Sequence, residues 1–92
     1  MQYSYPIDDS WSTDEIIKVV NFLSLVEKAH EDGIRRDDLL IAYTKFKQIV
    51  PSKSEEKQIG KKFEKETGFS IYQTIKRAQE LKQGEKLKIK YK

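Results

Sequence analysis

Few side chains in this sequence could make or break covalent bonds. It contains one histidine, His30, and no cysteine, which excludes a thiolate nucleophile, a His–His or Cys–His pair and an ordinary zinc site. The four glycines are too far apart to form a phosphate-binding loop. We therefore predict no catalytic, cofactor-binding or metal-ligating residues, and a protein that is not an enzyme.

The acidic residues occur mainly as pairs that precede or open predicted helices: Asp8-Asp9, Asp14-Glu15, Asp37-Asp38 and Glu55-Glu56. The helix dipole favours acids at these positions, and no pair has the spacing of a calcium-binding loop. His30 lies near the carboxyl end of the first predicted helix, where the dipole favours a cation. Helix capping thus accounts for these titratable groups without a catalytic role.

Glu27 is the candidate buried charge, because helical spacing places it within the apolar face of the first predicted helix. A buried carboxylate is unfavourable unless it is paired. The structural interpretation is an ion pair or hydrogen bond with a residue such as Arg35, Arg36 or Lys47. The functional interpretation is a carboxylate with a raised pKa in a cleft. The structural interpretation describes the more common situation.

A candidate interaction surface consists of residues that the core pattern does not require. Tyr3 and Tyr5 belong to an aromatic amino-terminal segment, for which we favour cover of the core over a stacking platform for a partner. Ile41 points away from the apolar face of its helix, and the other members are basic. The full set is Tyr3, Tyr5, Ile41, Lys53, Lys57, Lys76 and Arg77.

The positions of these residues depend on where the helices begin and end. Pro51 lacks a backbone N–H and disfavours helical angles at Val50, so a helix ends there. Ser52 can cap the next helix, and Glu55 can complete a capping box with it. The same box is predicted at two other places, Ser12 with Glu15 and Ser70 with Gln73.

These signals and the apolar periodicity predict an all-α fold of four helices. Gly33 and Gly68 are placed to end helices in the left-handed conformation. Gly60 lies within the third helix, where glycine costs about 1 kcal/mol relative to alanine. This predicts close approach of a neighbouring helix. The first helix lies between the Ser12 cap and Gly33, the second and third run over about 36–49 and 53–66, and the fourth follows the Ser70 cap and ends at Gly84.

The division of the chain follows from these elements. Residues 1–84 are predicted to form a single helical domain that begins with an extended aromatic arm. In residues 85–92, apolar residues alternate with lysine, as in a strand. A lone strand has nothing to pair with, so we predict a frayed basic tail.

Charge and hydropathy restrict the function classes. Residues 1–50 carry six Lys/Arg against nine Asp/Glu, a net charge of −3, whereas residues 51–92 carry twelve against six, a net charge of +6. The basic half could therefore meet an acidic partner. No apolar run reaches the roughly 18 residues of a membrane span, and the amino terminus has no signal-peptide pattern. A cytoplasmic protein without a membrane partner is expected.

Several short motifs carry a family resemblance: Tyr5-Pro6-Ile7-Asp8, Trp11-Ser12, Gly33-Ile34, Ala42-Tyr43, Phe46-Lys47, Ile49-Val50-Pro51-Ser52-Lys53 with Glu55-Glu56-Lys57, Phe63-Glu64, and Gly68 with Ser70 and Tyr72. With these motifs, the sequence from Tyr3 to Ala78 resembles the YktA-like family, an uncharacterised family of small cytosolic proteins from Bacillus-like bacteria. The resemblance implies four helices in a roughly orthogonal array. It implies no catalytic or binding residues.

Two functions remain open from the sequence. The first is a non-catalytic protein-interaction or regulatory module with an unknown protein partner. The alternative is a nucleic-acid-binding helical domain that uses the basic half formed by the third and fourth helices. In that alternative, the fourth helix presents Gln73, Lys76, Arg77 and Glu80 to a groove of the nucleic acid.

Overall fold

The computed structural model describes residues 5–89. It confirms the helical class, because these residues form four helices and one two-stranded sheet. The elements are α1 (Thr13–Glu31), β1 (Ile34–Arg35), α2 (Arg36–Ile49), α3 (Lys53–Thr67), α4 (Ile71–Glu80) and β2 (Lys86–Leu87).

The helix starts follow the predicted caps. The Ser12 hydroxyl accepts from the Glu15 amide at 3.2 Å, and Glu15 Oε1 accepts from the Ser12 amide at 2.9 Å, which completes a capping box. Ser52 and Ser70 also accept from the amide three residues on. Within residues 5–89 the reciprocal side-chain bond is formed only at Ser12, so the other two boxes are half complete.

The corner between α2 and α3 lies where proline chemistry predicts it. Helix α2 ends at Ile49, with Val50 as its fully buried C-cap. Helix α3 begins at Lys53, after the Ser52 cap. The prediction that Val50 and Ser52 do not share one helix is confirmed.

Helix α1 supplies five buried residues to the core. Its most extensive contact is with α2, and α2 also packs against α4. The predicted apolar faces of the four helices supply most of the buried side chains. The fully buried large residues are Val19, Phe22, Leu23, Val26, Leu39, Phe46, Val50, Phe63 and Thr74.

The prediction that the segment after Gly84 has no strand to pair with is wrong. Leu87 pairs with Ile34 in an antiparallel register and is 5% exposed. The Ile89 amide donates to the Ala29 carbonyl at 2.8 Å. The partner strand β1 is only two residues long and lies between two helices, where periodicity indicates a loop. The described part of the tail is therefore packed on the domain.

Helix α4 ends at Glu80 rather than near Gly84, and Leu81 is its extended C-cap. The turn that follows is tied to the start of α2. The Gly84 amide donates to Asp37 Oδ2 at 2.9 Å, and the Arg36 amide donates to the Glu85 carbonyl at 2.9 Å. The hydrogen bond from the Arg36 side chain, and to a smaller extent that from Gly84, lower the pKa of Asp37.

The amino-terminal segment is described from Tyr5 onward, and the predicted site residue Tyr3 lies outside the described residues. The Tyr5 ring stacks on Phe63 with centroids 6.4 Å apart. Trp11 is half-buried against the core. The extended form of the arm and the orthogonal helix array stay predictions. Within residues 5–89, no helix combines the length and the apolar character needed to cross a membrane.

Candidate interaction site

A cleft with a volume of about 740 Å³ opens where α3 and α4 meet beside α2. We call it the α3–α4 groove. Helix α3 contributes three exposed lysines and Gly60, helix α4 contributes apolar and polar residues, and Tyr43 of α2 lies at its side. The principal lining residues are Tyr43, Lys53, Lys57, Gly60, Lys61, Ile71, Tyr72, Ile75 and Lys76.

The three groove-lining lysines of α3 form one row along the groove. Lys53, Lys57 and Lys61 recur at every fourth position, and residues at this spacing are neighbours on a helix surface. Glu56 and Glu64, on the adjacent row, also line the groove. Three cations on one edge of an apolar cleft make that edge electropositive.

Helix α4 supplies the opposite wall. Ile71 and Ile75, at positions i and i+4, line the groove and are 4% and 6% exposed. Tyr72 lies beside them and is 70% exposed, although it is a large apolar ring. Lys76 is also exposed and lies one helical turn beyond Tyr72. This wall thus offers an apolar floor with an aromatic and a cationic rim.

Glu56 is held by two residues of α2. The Tyr43 hydroxyl donates to Glu56 Oε2 at 2.9 Å, and Lys47 Nζ donates to Oε1 at 2.6 Å. Burial and the hydrogen bond to Glu56 raise the pKa of Tyr43 to about 12. The sequence places Tyr43 and Lys47 four residues apart on one helix face, but it does not identify their common partner.

Gly60 is the one lining residue without a side chain. The predicted close approach of another helix is wrong, because a Cβ placed there has no heavy atom within 4 Å. Its φ is not positive, so backbone conformation does not require glycine either. The missing side chain leaves open space in the groove.

The structure brings together three residues of the predicted interaction surface and separates the others. Lys53, Lys57 and Lys76 line the α3–α4 groove. Arg77 is exposed on α4 but does not line it. Ile41, 56% exposed, borders a separate cleft of about 300 Å³. Whether these residues contact a partner stays a prediction.

Glu27 is half-buried, and its Oε2 atom has no hydrogen-bond partner among the described residues. The predicted ion pairs are wrong, since Arg35, Arg36 and Lys47 pair with other carboxylates. Burial raises the pKa of Glu27, and a hydrogen bond from Tyr5 acts in the opposite direction. Glu27 lines neither of the two clefts.

His30 joins the end of α1 to α4. Its Nε2 atom lies 2.9 Å from the Thr74 hydroxyl, and that hydroxyl donates to the Ser70 carbonyl at 2.7 Å. The Thr74 oxygen is therefore the hydrogen-bond acceptor in its contact with His30, which assigns a hydrogen to Nε2. The imidazole also stacks on Phe69 at 4.3 Å. Burial lowers the pKa of His30, which opposes the charged form that the helix dipole favours.

We expect the free energy of unfolding to decrease as the pH falls through 6.5, the ordinary pKa of histidine. Above this value both folded and unfolded chains carry a neutral His30. Below it, the unfolded chain binds the proton more readily, because burial lowers the pKa only in the folded state. Urea denaturation at pH values from about 5.5 to 7.5 measures this dependence.

The control for this prediction is His30→Gln, which removes the only histidine of the chain. The difference in unfolding free energy between the two proteins should shrink as the pH falls, because only the parent chain has this titration. Glu27 titrates in both and cancels in the comparison. A difference that is constant across the pH range would contradict the expected effect.

Comparisons with known proteins agree on one family. The family model described as "Uncharacterised protein family (UPF0223)" matches residues 2–87. A UPF0223 protein of Oceanobacillus iheyensis is 54% identical over 80 residues, which cover 87% of this chain and 91% of that protein. A UPF0223 protein of Streptococcus agalactiae is 50% identical over 82 residues, covering 89% and 88% respectively. The YktA-like resemblance is consistent with these matches. The chain therefore belongs to the UPF0223 family.

Proposed function

We propose that this chain is a non-catalytic protein-interaction module of the cytoplasm whose binding surface is the α3–α4 groove. The observation that supports this most is the combination, in one groove, of an apolar floor, an exposed tyrosine and a row of lysines. Exposed apolar surface with a polar border is typical of protein-binding sites.

Tyr72 is the strongest single element of the proposed surface. It is 70% exposed on α4, beside the nearly buried Ile71 and Ile75. Tyrosines supply large contact area at low entropic cost and are enriched among residues that dominate binding energy. A ring that covers the core would be buried, as the rings of Phe46 and Phe63 are. Tyr72 is therefore available to a partner.

Nucleic acid is the competing ligand, and α4 does expose Lys76 and Arg77. Two features favour protein over nucleic acid. The groove has an apolar floor, which a phosphate backbone would not use. A nucleic-acid surface on α4 would also use both Lys76 and Arg77. Of these two residues, only Lys76 lines the groove.

The difference between basic residues that line the groove and basic residues outside it defines the test. The full chain and two double variants serve as bait in cytosol from a Bacillus relative, and each captured protein is identified, purified and measured for direct binding. Lys57→Glu/Lys76→Glu reverses two charges in the groove. Lys62→Glu/Arg77→Glu reverses two charges on the same helices outside it. We expect the first variant to weaken binding at least about tenfold and the second to leave it nearly unchanged.

Contrary outcomes are equally specific. Binding to duplex or single-stranded nucleic acid that weakens steeply with salt and falls in both variants would favour the alternative. A purified partner that binds both variants equally well would place the interaction outside the groove and reject this surface.

A further inference from the structure

Gly60 carries the first step of a more specific inference. Glycine in a helix interior costs about 1 kcal/mol relative to alanine, and here neither φ nor packing requires it. Departures from local sequence preference without a structural reason are expected at functional sites. Gly60 lines the α3–α4 groove, so the absent side chain provides space for something that lies in the groove.

The length of the groove indicates what kind of object fits. Its lining runs from Lys53 to Glu64 along α3 and from Ser70 to Gln79 along α4. At a rise of about 1.5 Å per residue, both walls are about 15 Å long. This is the length of about three helical turns, and a groove between two helices is a common seat for the apolar face of a third.

The charges around the groove indicate which charges that third helix carries. Lys53, Lys57 and Lys61 border one side and Lys76 the other. Of the two lining glutamates, Glu56 is already neutralised by Lys47 at 2.6 Å. The borders are therefore net positive. They match a segment that carries acidic residues on both sides of an apolar stripe.

Building on the proposed function, we infer that the α3–α4 groove binds an acidic amphipathic helix of about three turns from a partner protein, with one apolar side chain seated over Gly60. Ile71, Ile75 and Tyr72 contact its apolar face, and the lysines contact its carboxylates. A small molecule fits these features less well, because the lysines are exposed and do not converge on one point.

The probe is a fluorescein-labelled 15-residue peptide made of glutamate and alanine, with leucines at helical spacing on one face. A second peptide replaces each glutamate with lysine. A third keeps the composition of the first but shuffles it, so that no apolar stripe remains. Anisotropy titrations with the full chain measure binding at about 0.1 M ionic strength, where the charge interactions are only partly screened.

Gly60→Leu and Gly60→Ala provide a matched pair of variants. Both should fold and raise the Tm, because alanine and leucine favour helix over glycine and the space that a Cβ would occupy is open. Leucine fills the space above position 60, whereas a single methyl group occupies little of it. We expect Gly60→Leu to weaken binding of the acidic peptide at least about tenfold and Gly60→Ala to weaken it far less.

Support requires that the acidic striped peptide bind, that the lysine and shuffled peptides bind at least about tenfold more weakly, and that Gly60→Leu reduce binding. Equal binding of the shuffled peptide, or an unaffected Gly60→Leu variant, would overturn the inference. So would self-association of the chain that Gly60→Leu abolishes, because the occupant would then be a second copy. If no acidic peptide binds but a purified partner still depends on Lys57 and Lys76, this inference fails while the proposed function stands.

Discussion

Replacing Gly33 by alanine is expected to lower the free energy of unfolding by about 2 to 4 kcal/mol. Two costs combine at this position. The φ of Gly33 is 94°, a left-handed conformation that side chains rarely adopt. A Cβ would also lie 3.2 Å from both the Leu87 carbonyl oxygen and Lys88 Cβ, which would have to shift by a few tenths of an ångström. Backbone strain and this tight contact with residues 87 and 88 therefore add to one another.

Two other glycines separate these costs. Gly68 and Gly84 have φ values of 83° and 86°, but a Cβ at either position meets nothing within 4 Å. Their alanine variants should lose only the conformational part, about 1 to 2 kcal/mol. Urea denaturation of the three variants measures the difference. If Gly33→Ala costs no more than Gly68→Ala, then residues 86–88 do not pack against Gly33 in solution.

Replacing Glu56 by alanine is expected to destabilise the chain by about 1 to 2 kcal/mol, since it leaves two half-buried polar groups of α2 without a partner. The Tyr43 hydroxyl and the Lys47 ammonium both donate to this carboxylate. The pKa of Tyr43, raised to about 12 in the parent chain, should fall, because the hydrogen bond and the charge both raise it. It should stay above its ordinary value, because burial remains the largest cause.

Glu55→Ala is the matched control for this second prediction. Glu55 also lies in the first turn of α3, so both variants lose a favourable charge at the positive end of the helix. Only Glu56 bonds to α2. Urea denaturation measures stability, and NMR titration of the Tyr43 ring measures its pKa. Equal destabilisation by both variants, with an unchanged Tyr43 pKa, would show that the bonds from α2 to Glu56 do not contribute to the free energy of unfolding.

The sequence predicts the helices well because local chemistry determines their ends. Ser12, Ser52 and Ser70 each accept the expected amide proton, and Pro51 separates α2 from α3. The left-handed caps at Gly33 and Gly68 are confirmed by their positive φ values. These features depend on residues at most a few positions apart.

Features that depend on distant residues are those that the sequence does not predict. Pairing of Ile34 with Leu87 joins residues that are 53 positions apart, and no local pattern marks a two-residue strand as a partner. The same holds for the Glu56 bonds to α2 and for the contact between His30 and Thr74. Periodicity indicates which face of a helix is buried, but not which side chain lies opposite.

In the candidate site too, the sequence predicts individual residues but not how distant residues come together. The sequence singles out Lys53, Lys57 and Lys76 as basic residues outside the core, and the structure places them around one groove. It does not predict the groove itself, because that depends on how α3 and α4 are arranged on either side of Gly68. A glycine within a helical pattern predicts helix packing at position 60, and only the open space around Gly60 indicates another role.

The most direct test of the binding surface is a two-dimensional NMR titration of the isotope-labelled full chain with the acidic striped peptide. We expect the largest amide shifts at Lys57, Gly60, Tyr72 and Lys76, on the two walls of the α3–α4 groove. Exposed residues of α1 that do not line the groove, such as the 61% exposed Ile17, should change little. Shifts centred on α1 or on the cleft beside Ile41, or no shifts at saturating peptide, would contradict the assignment of this groove as the binding surface.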